Sequence, residues 1–332
     1  NYKVMKIMLP FQKQPKIFAA FKSGYDTVSR HLYLVLFPII LDLFLLFGFR
    51  ITIVDFIQNA IQRFVLPPST SADMVANWEV LTTQSIEFFR YFSLTSFLRS
   101  LPVGIPSLFS DGAFERNPIG EFRVIQLEQP GAIFGVIIGM LFIGLIFAYL
   151  FYQLTARATS SQSFSTDEIN KSSSLVSWLL IPIVSIMFFL VVIFPAMLVI
   201  SLIGALFPFL TSVGYFFLTI AMITLIIPIF FTPHLIVLEN LSLKQAIINS
   251  FRTVRLTNAK STTFLFLAIL ASYLTNMLWR IPSDDSWMLI VSVFGHAMIS
   301  TIILAASFHY ILDARKSVRE FIENQMSETN LA

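Results

Sequence analysis

The chain contains no cysteine in 332 residues. That excludes disulfides, thiolate catalysis, Cys-ligated zinc and iron–sulfur clusters, and it leaves the redox compartment open. Charge is scarce as well: Asp, Glu, Lys and Arg make up 12% of the residues, against roughly 25% in soluble proteins. No H-E-x-x-H metal helix, G-x-S-x-G nucleophile elbow or G-x-x-x-x-G-K-[ST] phosphate loop occurs, so a non-enzymatic protein is expected. The basic residues do not gather with aromatics into one extramembrane patch, and no nucleic-acid partner is expected.

What is abundant is apolar surface. Hydrophobic residues reach 56%, with 36 phenylalanines, and the mean hydropathy is +0.78. A compact soluble fold cannot hide that much, so lipid must cover part of it. A helix crossing the hydrocarbon needs roughly 20 mostly apolar residues. Runs of that kind lie at His31–Phe49 and Gly131–Leu154, along the nearly continuous stretch Leu175–Leu238 broken near Phe207-Pro208, and at Thr262–Ile281 and Trp287–Leu312. The expected fold is therefore all-α, a polytopic transmembrane bundle of about six spans with amphipathic interfacial helices.

Most of the 22 Lys and Arg residues fall in the N-terminal segment, the loops after the second and fourth spans, and the C-terminal tail. The positive-inside rule makes that side cytoplasmic. The expected layout is a basic N-terminal segment over residues 1–30, a first span over 31–49 and an extracytoplasmic insertion over 50–130. Five further spans follow over 131–312, then a cytoplasmic tail over 313–332. The expected location is a bacterial cytoplasmic membrane, with both termini inside. Within the insertion, Ile53, Val54, Ile57, Ile61, Phe64 and Val65 repeat at helical spacing and stop at Pro67-Pro68. A second helix is expected from about Trp78 to Leu98, with Phe88, Phe89, Phe92 and Phe97 directed to the membrane interface or to the bundle. FRVIQLE reads as an extended run.

After the fourth span, SLKQAIINSFRTVRL, within residues 242–257, places Leu243, Ala246, Ile247, Ser250, Phe251 and Val254 on one stripe. Lys244, Arg252 and Arg255 lie mostly opposite. Such a helix is expected to lie on the inner membrane surface, each cation near anionic lipid gaining roughly 1 kcal/mol. The stretch IIPIFFTPHLIVLENLSLKQAIINSFRTVRLT, within Ile220–Ser272, resembles a broad group of bacterial multi-helix membrane proteins. That group includes the membrane domain attached to some glycerophosphodiester phosphodiesterases. The matching features are Pro233 and Glu239 at the end of a span, then Ala246 and Ser250 on the helix that follows. The resemblance implies a membrane module and transfers no catalytic residue.

Asp42 is the one carboxylate inside an apolar span, where insertion costs about 2.5 to 3.5 kcal/mol. It reads either as an ion- or proton-linked residue or as a structural one, protonated or bonded to a Ser, Tyr or backbone donor. Gly131, Gly135 and Gly139 recur every four residues, the spacing of a helix-packing seam. Of the histidines, His31, His234 and His309 are expected near cytoplasmic helix ends. His296 lies deeper, where Gly295 and Ala297 leave room for a flat macrocycle. Asp284-Asp285 reads as a solvated turn.

The leading expectation is a non-enzymatic membrane module acting as a scaffold, accessory subunit or lipid-contacting component. It would hold no cofactor, and its partners would be membrane lipids, other membrane subunits or a second copy. One alternative is a small secondary transporter or channel using Asp42. Another is a haem- or chlorin-binding subunit using His296 or the other histidines.

Overall fold

The computed structural model describes residues 15–64, 67, 71–100, 103–109, 116–160 and 171–330. Both chain ends, Val65, Pro68 and residues 161–170 of the loop expected after the second span lie outside these residues. The chain is an all-α polytopic membrane protein. Eleven α-helices occur among the described residues, and five helical stretches are long and apolar enough to cross a membrane: Pro130–Ser160, Ser174–Leu206, Pro208–Glu239, Asn258–Trp279 and Met288–Glu323. A sixth crossing exists if the broken pair Ile17–Arg30 and Leu32–Phe47 counts as one span.

The helices are α1 (Ile17–Arg30), α2 (Leu36–Phe47), α3 (Val54–Arg63), α4 (Ala72–Tyr91), α5 (Pro130–Ser160), α6 (Lys171–Phe188), α7 (Phe194–Leu206), α8 (Pro208–Glu239), α9 (Leu243–Leu256), α10 (Asn258–Trp279) and α11 (Met288–Asn330). The expected first span is carried by a 3-10 turn, Leu32–Val35, and by α2. Together these rise only about 26 Å, short of the roughly 30 Å hydrocarbon core. The basic N-terminal segment also holds a helix, α1, and α11 continues through the expected tail to Asn330.

Two compact units are present, one made of the residues up to Leu32, Tyr152–Ser272 and those from Ile302, the other of Tyr33–Phe151 and Tyr273–Thr301. In the first unit, α1 buries Ala20, Gly24, Thr27 and Val28, the four-residue stripe of a packed helix face. A Cβ on Gly24 would stand 2.7 Å from the Ile302 carbonyl oxygen, so only glycine lets α1 approach α11 that closely. The core stacks Phe264 on Tyr310 at 4.4 Å and Tyr310 on Phe231 at 5.6 Å.

The break at Phe207-Pro208 forms as the sequence suggests. Phe207 leaves helical geometry, and Pro208 starts α8, where its missing N–H has no partner to lose. A π-helical turn, Phe189–Ile193, precedes Pro195, whose ring cannot donate to the carbonyl four residues back. Asn240 ends α8 in the left-handed conformation (φ 51°), which Asn tolerates at a helix C-terminus. A capping box of Ser242 and Gln245 then starts α9.

α9 buries Ala246, Ser250, Thr253 and Val254 and exposes Lys244, Arg252 and Arg255. The Ser250 hydroxyl donates to the Pro228 carbonyl inside α8. Glu239, at the end of α8, accepts two bonds from Arg315 (2.8 and 2.6 Å) and one from Arg319 (3.3 Å). The paired geometry of the Arg315 fork fixes the end of α8 to α11.

In the second unit, Arg50–Thr52 (β1) pairs in parallel with Val124–Gln126 (β4), and Arg116–Asn117 (β2) pairs antiparallel with Gly120–Glu121 (β3). FRVIQLE is thus extended, and β1 takes the residues just before the first insertion helix. α4 starts six residues before Trp78 and stops at Tyr91, and Leu94–Arg99 follow as a 3-10 helix. Most of the aromatic surface turns inward: Phe89, Phe92 and Phe97 pack against a core of Ile51, Ile53, Leu94 and Ile133, while Phe88 stays exposed.

Candidate functional site

Asp42 sits on α2 and is fully buried. The Ser107 hydroxyl donates to its Oδ1 at 2.6 Å, and the Leu108 N–H donates to Oδ1 at 2.9 Å and to Oδ2 at 3.2 Å. The carboxyl group therefore acts as an acceptor for the loop 103–109. Those backbone groups have no regular secondary structure to pair with, and a buried N–H needs a partner. The same loop is held from its other side: the Arg280 guanidinium donates to the Leu108 carbonyl at 2.8 Å. Leu108 thus has its N–H taken by an acidic side chain on α2 and its carbonyl by a basic side chain just after α10.

Gly144 on α5 sets the adjoining 3-10 helix. A Cβ there would lie 2.3 Å from the Leu98 carbonyl oxygen and 2.8 Å from its carbon. The next residue, Arg99, is exposed and lies within Coulombic reach of Asp42 and of His296. Arg280 acts on His296 too. His296 is 7% exposed on α11, and its Nε2 has no hydrogen-bond partner among the described residues. On α10, the Trp279 Nε1–H and the Asn276 Oδ1 likewise have no hydrogen-bond partner among the described residues. Asn276 and Trp279 lie on the last turn of α10 and Arg280 follows it directly, and the Trp279 ring covers Gly295, where a Cβ would stand 2.3 Å from it. The gap beside His296 that suggested room for a macrocycle is therefore filled by an indole.

The other histidines do not gather. His234 is enclosed by Phe308 (4.6 Å between ring centroids), Phe230 (5.3 Å) and Tyr152 (5.5 Å). Its Nε2 pairs with the Ser307 hydroxyl at 2.6 Å and its Nδ1 with the Phe230 carbonyl at 3.2 Å. Both ring nitrogens are occupied. His309 Nε2 pairs with the Thr27 hydroxyl at 2.7 Å, and His31 closes α1 through its backbone N–H. No group of three or more His, Cys, Asp or Glu side chains arranged for a metal occurs among the described residues.

Gly131, Gly135 and Gly139 border open space among the described residues. An added Cβ at each meets no atom within 4 Å among the described residues. Spacing alone identifies a smooth helical face and cannot say whether a neighbour covers it. Glycines that do permit close packing, Gly24, Gly144 and Gly295 among them, have no such spacing. Their signal is the tertiary neighbour itself, so sequence reasoning passed over Gly24 and Gly144 and read Gly295 only as room beside His296.

Outside the spans, Arg50 places its guanidinium 3.5 Å from the centre of the Phe122 ring. Burial lowers its pKa to about 10, against a raising influence from Asp284. Arg50 therefore stays charged at neutral pH, held by a cation–π contact. No protein-family model, curated protein or solved structure matches the chain.

Proposed function

We propose that the protein is a membrane-embedded module without chemistry of its own, a scaffold or accessory component that works through contacts with lipid and with other membrane chains. The observation that carries this reading is the state of Asp42. The one carboxylate of the apolar spans is engaged by Ser107 and Leu108 as an anchor for a loop. A coupling residue must exchange protons or ions along a path, and intramembrane ionisable groups in such roles work with partners or a water-filled route. The wide apolar exposure of α6, α7 and α8, with Leu202, Leu206 and Phe209 each about three-quarters exposed, agrees with a surface made for acyl chains or helices. Natively purified protein is expected to be colourless, to carry bound phospholipid and to show no turnover. A haem or chlorin absorption band would overturn the reading.

In this reading both termini are cytoplasmic, the 50–130 segment lies outside, and α9 rests on the inner leaflet through Lys244, Arg252 and Arg255. The support is the bias of basic residues between alternate connections. Because the chain lacks cysteine, single thiols report topology cleanly. Ser71→Cys is expected to react with an impermeant reagent added outside intact cells, and Ser160→Cys only after permeabilisation. The reverse pattern would invert the topology.

A further inference from the structure

Within the first unit, the start of α1 and the start of α10 border a cavity of about 450 Å3, walled by Lys16, Ile17, Phe18 and Lys260. That volume falls in the roughly 300–1,000 Å3 range of small-ligand sites. The walls are fixed by contacts outside the cavity: Phe21 on α1 stacks on Phe264 of α10 at 5.2 Å, and the Lys16 backbone N–H donates to Asp313 Oδ2 on α11 at 3.0 Å. Two ammonium groups from opposite parts of the chain are thus brought to one opening.

No carboxylate lines the cavity among the described residues. Neither the Lys16 nor the Lys260 ammonium takes part in an ion pair or a side-chain hydrogen bond there. Asp313, the acid that α11 brings to Lys16, has one oxygen engaged by the backbone N–H. A cleft lined by one sign of charge concentrates counter-ions, and Lys binds phosphate as a point charge. The lip of the cavity is apolar. Phe18 is 83% exposed, and Lys22 and Tyr25 share its outward face, opposite the buried Ala20, Gly24, Thr27 and Val28. Aromatic and Lys side chains interleaved on an exposed helix face belong to a membrane interface. Lys260 lies in the first turn of a span-length helix, Asn258–Trp279, and a cation at a span end sits at the depth of lipid phosphates.

We propose that Lys16 and Lys260 bind a phosphate-type oxyanion in this cavity, carried by a phospholipid headgroup or free in solution, and that Phe18 meets the acyl chains when the source is lipid. The site deepens the lipid-contacting reading above by naming its ligand class, and it rests on that reading only for the lipid source.

The test uses the full chain in a phosphate-free, non-ionic detergent. Inorganic phosphate, short-chain phosphatidic acid and diacylglycerol of the same chain length are titrated separately by calorimetry. Saturable binding of phosphatidic acid or of phosphate, with diacylglycerol silent, is expected. Lys16→Gln and Lys260→Gln should each weaken that binding about tenfold, the loss of one charge-assisted hydrogen bond. Lys244→Gln, on α9 and outside the cavity, should leave it unchanged. Phe18→Ala separates the sources: weaker phosphatidic acid binding with phosphate unaffected assigns the site to a headgroup, and no change for either ligand assigns it to the free anion. Absence of saturable binding, equal binding of diacylglycerol, wild-type affinity in both cavity lysine variants, or an equal loss in Lys244→Gln would overturn the site. Failure here with phospholipid still co-purifying removes the site and leaves the module reading, whereas turnover or an absorption band with intact phosphate binding does the reverse.

Discussion

Replacing Asp42 by Ala is expected to cause a large loss of stability, and replacing it by Asn a small one. Alanine leaves the Ser107 hydroxyl and the Leu108 N–H without an acceptor in a fully buried site. At about 1–3 kcal/mol for each buried unsatisfied donor, the loss comes to roughly 2–6 kcal/mol. Asparagine keeps one oxygen, and both short bonds, at 2.6 and 2.9 Å, already converge on the single atom Oδ1. The longer 3.2 Å contact to Oδ2 is lost, at a cost of about 1 kcal/mol. Thermal unfolding in detergent and abundance in the membrane measure both variants. The comparison also separates anchor from transporter: Asp42→Asn at normal abundance should leave any uptake or growth phenotype intact. Loss of that phenotype at normal abundance would show that the charge itself is needed, and an Asp42→Ala variant as stable as the wild type would remove the anchoring role.

A matched pair of substitutions on α5 carries the second large effect. Gly144→Ala should destabilise the protein, because the new methyl would stand 2.3 Å from the Leu98 carbonyl oxygen, a backbone atom that cannot swing away. Overpacking of this kind costs about 1–3 kcal/mol. That outweighs the roughly 1 kcal/mol by which Ala exceeds Gly in helix propensity. Gly135→Ala on the same helix meets nothing within 4 Å, so propensity acts alone and stability should be unchanged or slightly raised. Gly135→Leu should likewise leave the isolated chain stable. If it instead disrupts an oligomer or a complex while the monomer stays folded, the smooth face of Gly131, Gly135 and Gly139 belongs to an interface with another chain. The two glycines differ only in what lies across from them, and the measured difference tests the packing directly.

The apolar spans were legible because each is a property of one contiguous segment. A run of roughly 20 apolar residues must meet lipid or a packed core whatever else the chain does, and the prolines and charged turns between runs fall where helices end. The hairpin turn at Phe207-Pro208 and the two-faced α9 follow from the same local logic, since a helix repeats every 3.6 residues and carries its pattern within itself. The helix α1 was hidden in a segment that reads as basic and half polar. Its folding depends on a buried stripe of Ala20, Gly24, Thr27 and Val28, of which Gly24 and Thr27 meet α11. Local hydropathy does not register such a partner.

The site shows the sharper limit. Composition singled out Asp42 because a carboxylate among Leu, Ile and Phe is costly wherever it lies, and the alternatives of an anchor and a proton carrier were both written in the residue type. Only the tertiary structure brings Ser107 and Leu108, more than sixty residues away in the chain, onto its oxygens. The same holds for Arg280, whose contact with the Leu108 carbonyl spans 172 positions, and for Trp279, which fills the space beside Gly295. By itself the sequence determined the solvent of this protein, the number of its apolar segments and the faces of its helices, because those follow from the free energy of transferring each segment. The tertiary structure decided which polar groups are satisfied, which glycines are in contact and which donors still lack an acceptor. Those depend on atoms distant in the chain meeting within about 3 Å, the range over which a hydrogen bond exists.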